Sequence, residues 1–233
     1  MLDVGGESTR PGALPVDAAE EVRRVVPVVA GIRRRGVALP VSVDTRKAAV
    51  AEAALAAGAT LVNDVTAGTG DPRMLGVVAR AGAGIVLMHM RGEPRTMQDA
   101  PRYDDVTAEV LAWLLARADA ARAAGIPEAR VFLDPGIGFG KTFEHNATLL
   151  RDLERFTASG RVWVGASRKG FLGAITGRPP AARLAAALAC AARAFEAGAH
   201  AVRVHDVAAT TDLLEVLTRI SPGRAAIAGF ASR

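Results

Sequence analysis

The sequence predicts an α/β fold: a (β/α)8 barrel that is N-terminally incomplete, with about seven βα units present. Short runs rich in Val, Ile and Leu alternate throughout with longer stretches of Ala, Leu, Glu and Arg, which reads as buried parallel strands joined by helices. Glycines punctuate the alternation, and almost every apolar run ends in a polar cluster. Those clusters mark one functional face of a parallel barrel.

The strand candidates lie at 2–4, 40–43, 60–63, 84–88, 131–134, 162–165 and 201–204, and the helices between and after them at 17–34, 46–57, 71–81, 105–124, 143–158, 180–197 and 207–219. Asp17 with Glu20 three residues on predicts a capping box, and Asp71 before Pro72 predicts an N-cap and first helical position. Gly58, Gly82 and Gly198, each flanked by alanines just before a strand, predict left-handed helix ends. No linker or low-complexity tract interrupts the series, so residues 1–233 form one domain. A barrel needs eight strands and the first run begins at Leu2, so one βα unit is expected before Met1. A doubly wound sheet would accept seven strands, but its glycine fingerprint is absent.

Hydrophobic residues make up 50% of the 233 and charged residues 23%, ordinary globular fractions. No apolar run approaches the roughly 20 residues of a bilayer span, and the N-terminus carries no secretory signal pattern. The expected location is cytoplasmic, with no membrane partner. The net charge is +5, almost all of it from arginine, but the arginines are dispersed. The one tight cluster, Arg33 to Arg35, falls at a helix C-terminus, where the macrodipole favours cations. With aromatics at 4%, few platforms exist for stacking bases, and no nucleic-acid partner is expected. The single cysteine, Cys190, reads as a small packed residue.

The strand-end clusters divide chemically. Asp44, Asn63 and Asp134 are acceptors and an amide suited to a flat heterocycle with N–H donors, whereas Arg10, Lys169, Arg203 and His205 suit phosphate or carboxylate oxygens. The glycine-rich stretch from 134 to 141 narrowly misses two phosphate fingerprints. A P-loop would need glycine at Pro135, and a dinucleotide loop glycine at Lys141. The four histidines form no close pair and one cysteine builds no zinc site, so no protein metal ligand is assigned.

Taken in order, DVGGESTRPG at 3–12, SVDT at 42–45, ND at 63–64, LMHM at 87–90, DPGIGFGK at 134–141, SRK at 167–169 and RVHD at 203–206 resemble the motif set of the dihydropteroate synthases. The resemblance spans nearly the whole chain. It implies a TIM-barrel transferase of folate biosynthesis that joins p-aminobenzoate to 7,8-dihydropterin-6-ylmethyl diphosphate with release of diphosphate. It further implies assistance from Mg2+ and a homodimer built through C-terminal helices, which makes the Ala-rich helix at 180–197 a candidate interface.

Position by position, the resemblance puts Asp44, Asn63, Asp134 and Lys169 on the pterin. Arg203 would pack on the pterin ring and, with His205, meet the diphosphate; Thr9 and Arg10 would sit on a loop closing over diphosphate and p-aminobenzoate. Phe139, Lys141 and Ser167 would border the p-aminobenzoate pocket. Arg10, Lys169, Arg203 and His205 are the expected catalytic groups. The family's Mg2+-ligating Asn would precede Met1, which leaves two alternatives to the synthase: a non-catalytic pterin-binding homologue, or a methyltetrahydrofolate-dependent methyltransferase. The anion-binding groups at Arg10 and 167–169 argue against methyl transfer, which has no diphosphate to hold.

Overall fold

The computed structural model describes residues 1–9, 12–93 and 96–221. Seven strands, β1 (Leu2–Gly5), β2 (Val41–Asp44), β3 (Leu61–Asp64), β4 (Gly84–Met88), β5 (Val131–Asp134), β6 (Arg161–Val164) and β7 (Ala201–Val202), form one parallel sheet in sequence order. Helices connect every successive pair: α1 (Ala18–Arg34), α2 (Ala48–Ala56), α3 (Met74–Arg80), α4 (Val106–Ala123), α5 (Phe143–Arg151), α6 (Leu153–Thr157), α7 (Gly170–Thr176) and α8 (Leu184–Glu196), with α9 (Val207–Ile220) following β7. All pairings between neighbours are parallel, from Leu2 opposite Val41 to Val164 opposite Val202.

The sheet curls because the two side-chain faces of each strand meet different partners. Val43, Val62, Ile85, Leu87, Leu133, Val162 and Val164 join the large core under the helices. Leu61, Val86, Phe132 and Trp163, on the alternate face, pack with Ala201 as a separate inner cluster, the filled interior of a barrel. The edge strands β1 and β7 are not hydrogen-bonded to each other. They are tied at their C-terminal ends by side chains: Arg203 Nε donates to Asp3 Oδ2 at 2.6 Å across 200 residues of sequence.

Helix boundaries follow the sequence reading with three corrections. The single helix expected at 143–158 breaks at Asp152, whose carboxylate accepts from Thr107 Oγ1 at 2.9 Å and whose backbone leaves helical geometry (ψ 18°), giving α5 and α6. Asp71 does not cap its own helix. It accepts from Ala48 N at 3.0 Å and so caps α2, while α3 begins later, at Met74. The short α7 was not anticipated, since its glycines at 170 and 173 weaken the helical pattern.

Asp17 caps α1 as expected through Glu20 N at 2.8 Å, but Glu20 turns outward to Arg23 and Arg24 instead of completing a box. Gly58, Gly82 and Gly198 all have positive φ. In the basic cluster, Arg33 donates to the carbonyls of Gly58, Val37 and Leu39 at 2.9–3.0 Å, tying the end of α1 to the turns around β2 and β3. Burial pushes the Cys190 thiol up to about 11, consistent with a packing role.

Candidate active site

Each strand delivers its polar residues to the C-terminal rim because its apolar run gives way to a polar loop before the following helix begins. On β2 and β3, Asp44 lies opposite Asn63 in register. Asn63 is buried (5% exposed) and its Nδ2 donates to Asp3 Oδ2 at 3.2 Å. The same oxygen receives Arg203 Nε, while a second guanidinium nitrogen of Arg203 lies 3.3 Å from Asp44 Oδ2. One arginine thus bridges carboxylates from β1 and β2. The remaining oxygens, Asp3 Oδ1 and Asp44 Oδ1, are buried and accept no hydrogen bond. Burial, then the neighbouring Asp3, raises the Asp44 carboxyl to about 7 against the pull of Arg203.

Across the barrel mouth, Asp134 at the end of β5 is buried and accepts from Gly136 N at 2.7 Å. Burial raises its pKa, and the charge of Lys169 is the largest opposing influence. Burial in turn draws Lys169 down to about 8, opposed by Asp134. The Lys169 amine donates to Ile137 O and sits 4.5 Å from the centre of the Phe139 ring. Ser167 Oγ lies 3.0 Å from His205 Nδ1, joining the β6 and β7 loops.

The structure therefore gathers Asp44, Asn63, Asp134, Phe139, Ser167, Lys169, Arg203 and His205 on one rim, as the sequence predicts. Thr9 lies on the loop after β1, close in sequence to Glu7, which accepts from Val16 N, Arg46 and Lys47. Arg10 falls outside the described residues.

Lys141 is placed differently from expectation. Only 3% exposed, its Nζ lies 3.0 Å from His89 Nδ1, 3.3 Å from His89 O and 3.0 Å from Phe139 O. It is spent on the protein's own backbone behind the rim, locking the β5–α5 loop to the end of β4. Burial lowers its pKa well below the usual lysine range, and burial with the Lys141 charge lowers His89 to about 3.

Two further motif residues turn out to be structural. Asp64 accepts from Thr66 N, Thr66 Oγ1 and Gly68 N at 2.7–2.8 Å and shapes the loop after β3. Arg168, expected among the anion-binding groups, pairs with Asp206 at 2.6 Å. The sequence reading missed Asp3 as a site residue, although a carboxylate inside an apolar strand signals it. It also missed His89, whose role depends on a partner 52 residues away.

Among the described residues no group of three or more His, Cys, Asp or Glu could hold a metal ion.

A parallel barrel whose rim sets buried carboxylates and an amide beside a lysine and an arginine defines an enzyme for a small anionic substrate with a flat polar head. The family model described as "Pterin binding enzyme" matches residues 1–205. The dihydropteroate synthase of Synechocystis is 44% identical over 218 residues, covering 93% of this chain and 75% of the relative.

Among solved structures, the dihydropteroate synthase of Xanthomonas albilineans with 4-aminobenzoic acid is 47% identical, with a TM-score of 0.89, over 95% of this chain and 79% of that one. The Yersinia pestis enzyme with a pterine-sulfa conjugate is 37% identical, with a TM-score of 0.87, over 94% and 81%. The chain belongs to the pterin-binding enzymes and, within them, to the dihydropteroate synthase family.

Proposed function

We propose that this chain condenses 7,8-dihydropterin-6-ylmethyl diphosphate with p-aminobenzoate, giving 7,8-dihydropteroate and diphosphate. The observation that supports it best is the buried, unpartnered carboxylate oxygen Asp44 Oδ1, opposite Asn63 on the neighbouring strand. Such acceptors are costly to bury unless a ligand brings N–H donors to them, and a pterin carries these donors along one edge. A methyltransferase acting on methyltetrahydrofolate or a non-catalytic pterin-binding homologue would use the same acceptors; Lys169, Arg203 and His205 on the same rim favour a substrate with an anionic leaving group.

In the proposed reaction the methylene carbon loses its bond to the diphosphate oxygen and gains one to the amine nitrogen, which then releases a proton. Positive charge develops on the pterin methylene, where Asp44 and Asp134 stabilise it. Negative charge grows on the leaving group, where Lys169, Arg203 and His205 act, with Arg10 and Thr9 assigned to the same task. Ser167 holds His205, and Phe139 covers the Lys169 amine on the side assigned to p-aminobenzoate. Lys141 acts by holding the loop that carries Phe139. Mg2+ remains part of the expectation from the family; no group of three or more His, Cys, Asp or Glu among the described residues would hold it, and no step above depends on it.

The homodimer and the cytoplasmic location belong to this reading too. Exposed Leu184 on α8, and Val216 and Ile220 one turn apart on α9, support the C-terminal helices as the interface. No helix among the described residues is long and apolar enough to cross a membrane.

The test is product formation by the purified chain from the two substrates with Mg2+ present. Turnover is the expected result; its absence in a folded preparation would count against the reading. In the same assay Lys169→Ala should lower kcat by about 100-fold, the typical loss for one charge-stabilising group, with an unchanged melting temperature. A fall in melting temperature as large as the fall in rate would mark Lys169 as structural.

Asp44 also gives the site a pH dependence. Its pKa in the free protein, about 7, exceeds the ordinary 3.8, so its contribution to folding stability is fully present below about 4 and is lost as pH rises through about 7. Pterin N–H donors favour the ionised form and work in the opposite direction. Pterin binding at pH 6.5 should therefore release protons, measurable by titration calorimetry in two buffers of different ionisation enthalpy. Equal apparent enthalpies in the two would remove Asp44 from the pterin site.

A further inference from the structure

We propose that Asp3 is a positioning residue of the active site, a single carboxylate that orients both Asn63 and Arg203 for substrate. Asp3 sits on β1, two residues before the strand's end, and only 11% of its side chain is exposed. Its Oδ2 accepts Asn63 Nδ2 at 3.2 Å and Arg203 Nε at 2.6 Å. No other described residue holds both of these side chains.

The consequence for Asn63 is directional. An amide whose Nδ2 is committed to a carboxylate must present its Oδ1 elsewhere, so Asp3 sets which face of Asn63 the substrate meets. For Arg203 the consequence is geometric. Asp3 fixes Nε, Asp44 fixes a terminal nitrogen, and the guanidinium plane is held between them, an arrangement that only a planar, multiply donating cation can adopt.

Because Arg203 follows β7 and Asn63 ends β3, Asp3 also couples the open edge of the sheet to its interior. Loss of its charge would free both side chains to rotate without removing either from the site. This inference rests on the proposed pterin and diphosphate chemistry and adds to it a group two steps removed from the reacting atoms.

The test measures binding of two probes, 6-hydroxymethylpterin and inorganic diphosphate, to the parent chain, to Asp3→Asn, and to Asp3→Asn built on an Asn63→Ala, Arg203→Ala background. Asp3→Asn is expected to weaken both probes by about tenfold, the scale of a hydrogen bond to a charged group. In the doubly substituted background the same change should cost neither probe anything further, since Asp3 then has nothing left to orient.

A folded Asp3→Asn that binds both probes as the parent does would overturn the proposal. So would a tenfold loss that persists in the background, which would mean direct contact or a purely structural role. If Asp3→Asn fails to fold, Asp3→Glu serves instead: weakened binding confined to the Asn63 and Arg203 chain supports the proposal, and unaltered binding overturns it. Failure of the parent itself to bind the pterin probe would overturn the functional reading and this inference together, whereas parent binding with an indifferent Asp3 variant overturns this one alone.

Discussion

Replacing Arg203 with alanine is expected to lower kcat/KM by roughly 1,000-fold, the upper end of what a single charge-stabilising group supplies. Two losses combine. The first is the cation assigned to the pterin ring and the departing diphosphate. The second is the bridge between Asp3 and Asp44, which approach the same guanidinium from β1 and β2. Without it the two carboxylates face each other with only Asn63 donating to the pair, and one of them must take up a proton. Asp44, already raised to about 7, rises further.

The variant's stability should therefore fall more steeply than the parent's between pH 6 and pH 8, which thermal melts at the two values would measure. Arg203→Lys keeps the charge but cannot donate from separate nitrogens to both carboxylates, so it should recover only part of the activity. Near-parental activity in Arg203→Ala would remove this residue from the mechanism.

The largest expected effect on the folded state lies at Gly136. Its φ is +68°, and a Cβ placed there would lie 1.9 Å from the carbonyl oxygen of His89 and 3.3 Å from the Lys141 amine. A left-handed conformation alone costs a non-glycine residue about 1 kcal/mol. The overlap adds more, because the obstructing atom is backbone at the end of β4 and cannot swing aside. Gly136→Ala should cost about 4 kcal/mol in all, a drop of roughly 10 °C in melting temperature for a chain of this size.

Activity should suffer as well, since Gly136 N–H is a hydrogen-bond donor to the Asp134 carboxylate. A melt within 2 °C of the parent, on the scale of about 3 °C per kcal/mol, would show that this approach of the two loops is looser than the structure makes it.

Gly136 also illustrates how differently sequence and structure speak. In the sequence the glycines of DPGIGFGK come close to two phosphate fingerprints and miss each at one position, Pro135 for one and Lys141 for the other. In the structure Gly136 and Gly140 are there because backbone meets backbone: a Cβ at Gly140 would lie 2.3 Å from Arg91 O. The same loop holds Lys141, which is inward-facing because its amine finds three acceptors behind the rim. The family resemblance assigns that lysine to the border of the p-aminobenzoate pocket, but a motif does not report which way a side chain turns.

The sequence by itself determined the order of seven strands and most of their helices, and the rim on which Asp44, Asn63, Asp134, Lys169 and Arg203 would meet. It could do so because these rest on local signals: apolar runs, helix formers, glycine stops, and the rule that parallel strands send their C-terminal ends to one face. Only the tertiary structure decided that Asp3 holds Asn63 and Arg203, that Arg168 is paired with Asp206, that Asp71 caps the preceding helix, and that Lys141 serves the loop. Each of these depends on a contact between residues that distant segments bring together, and hydrogen bonds and charge pairs act over a few ångströms of space, which the order of residues along the chain does not specify.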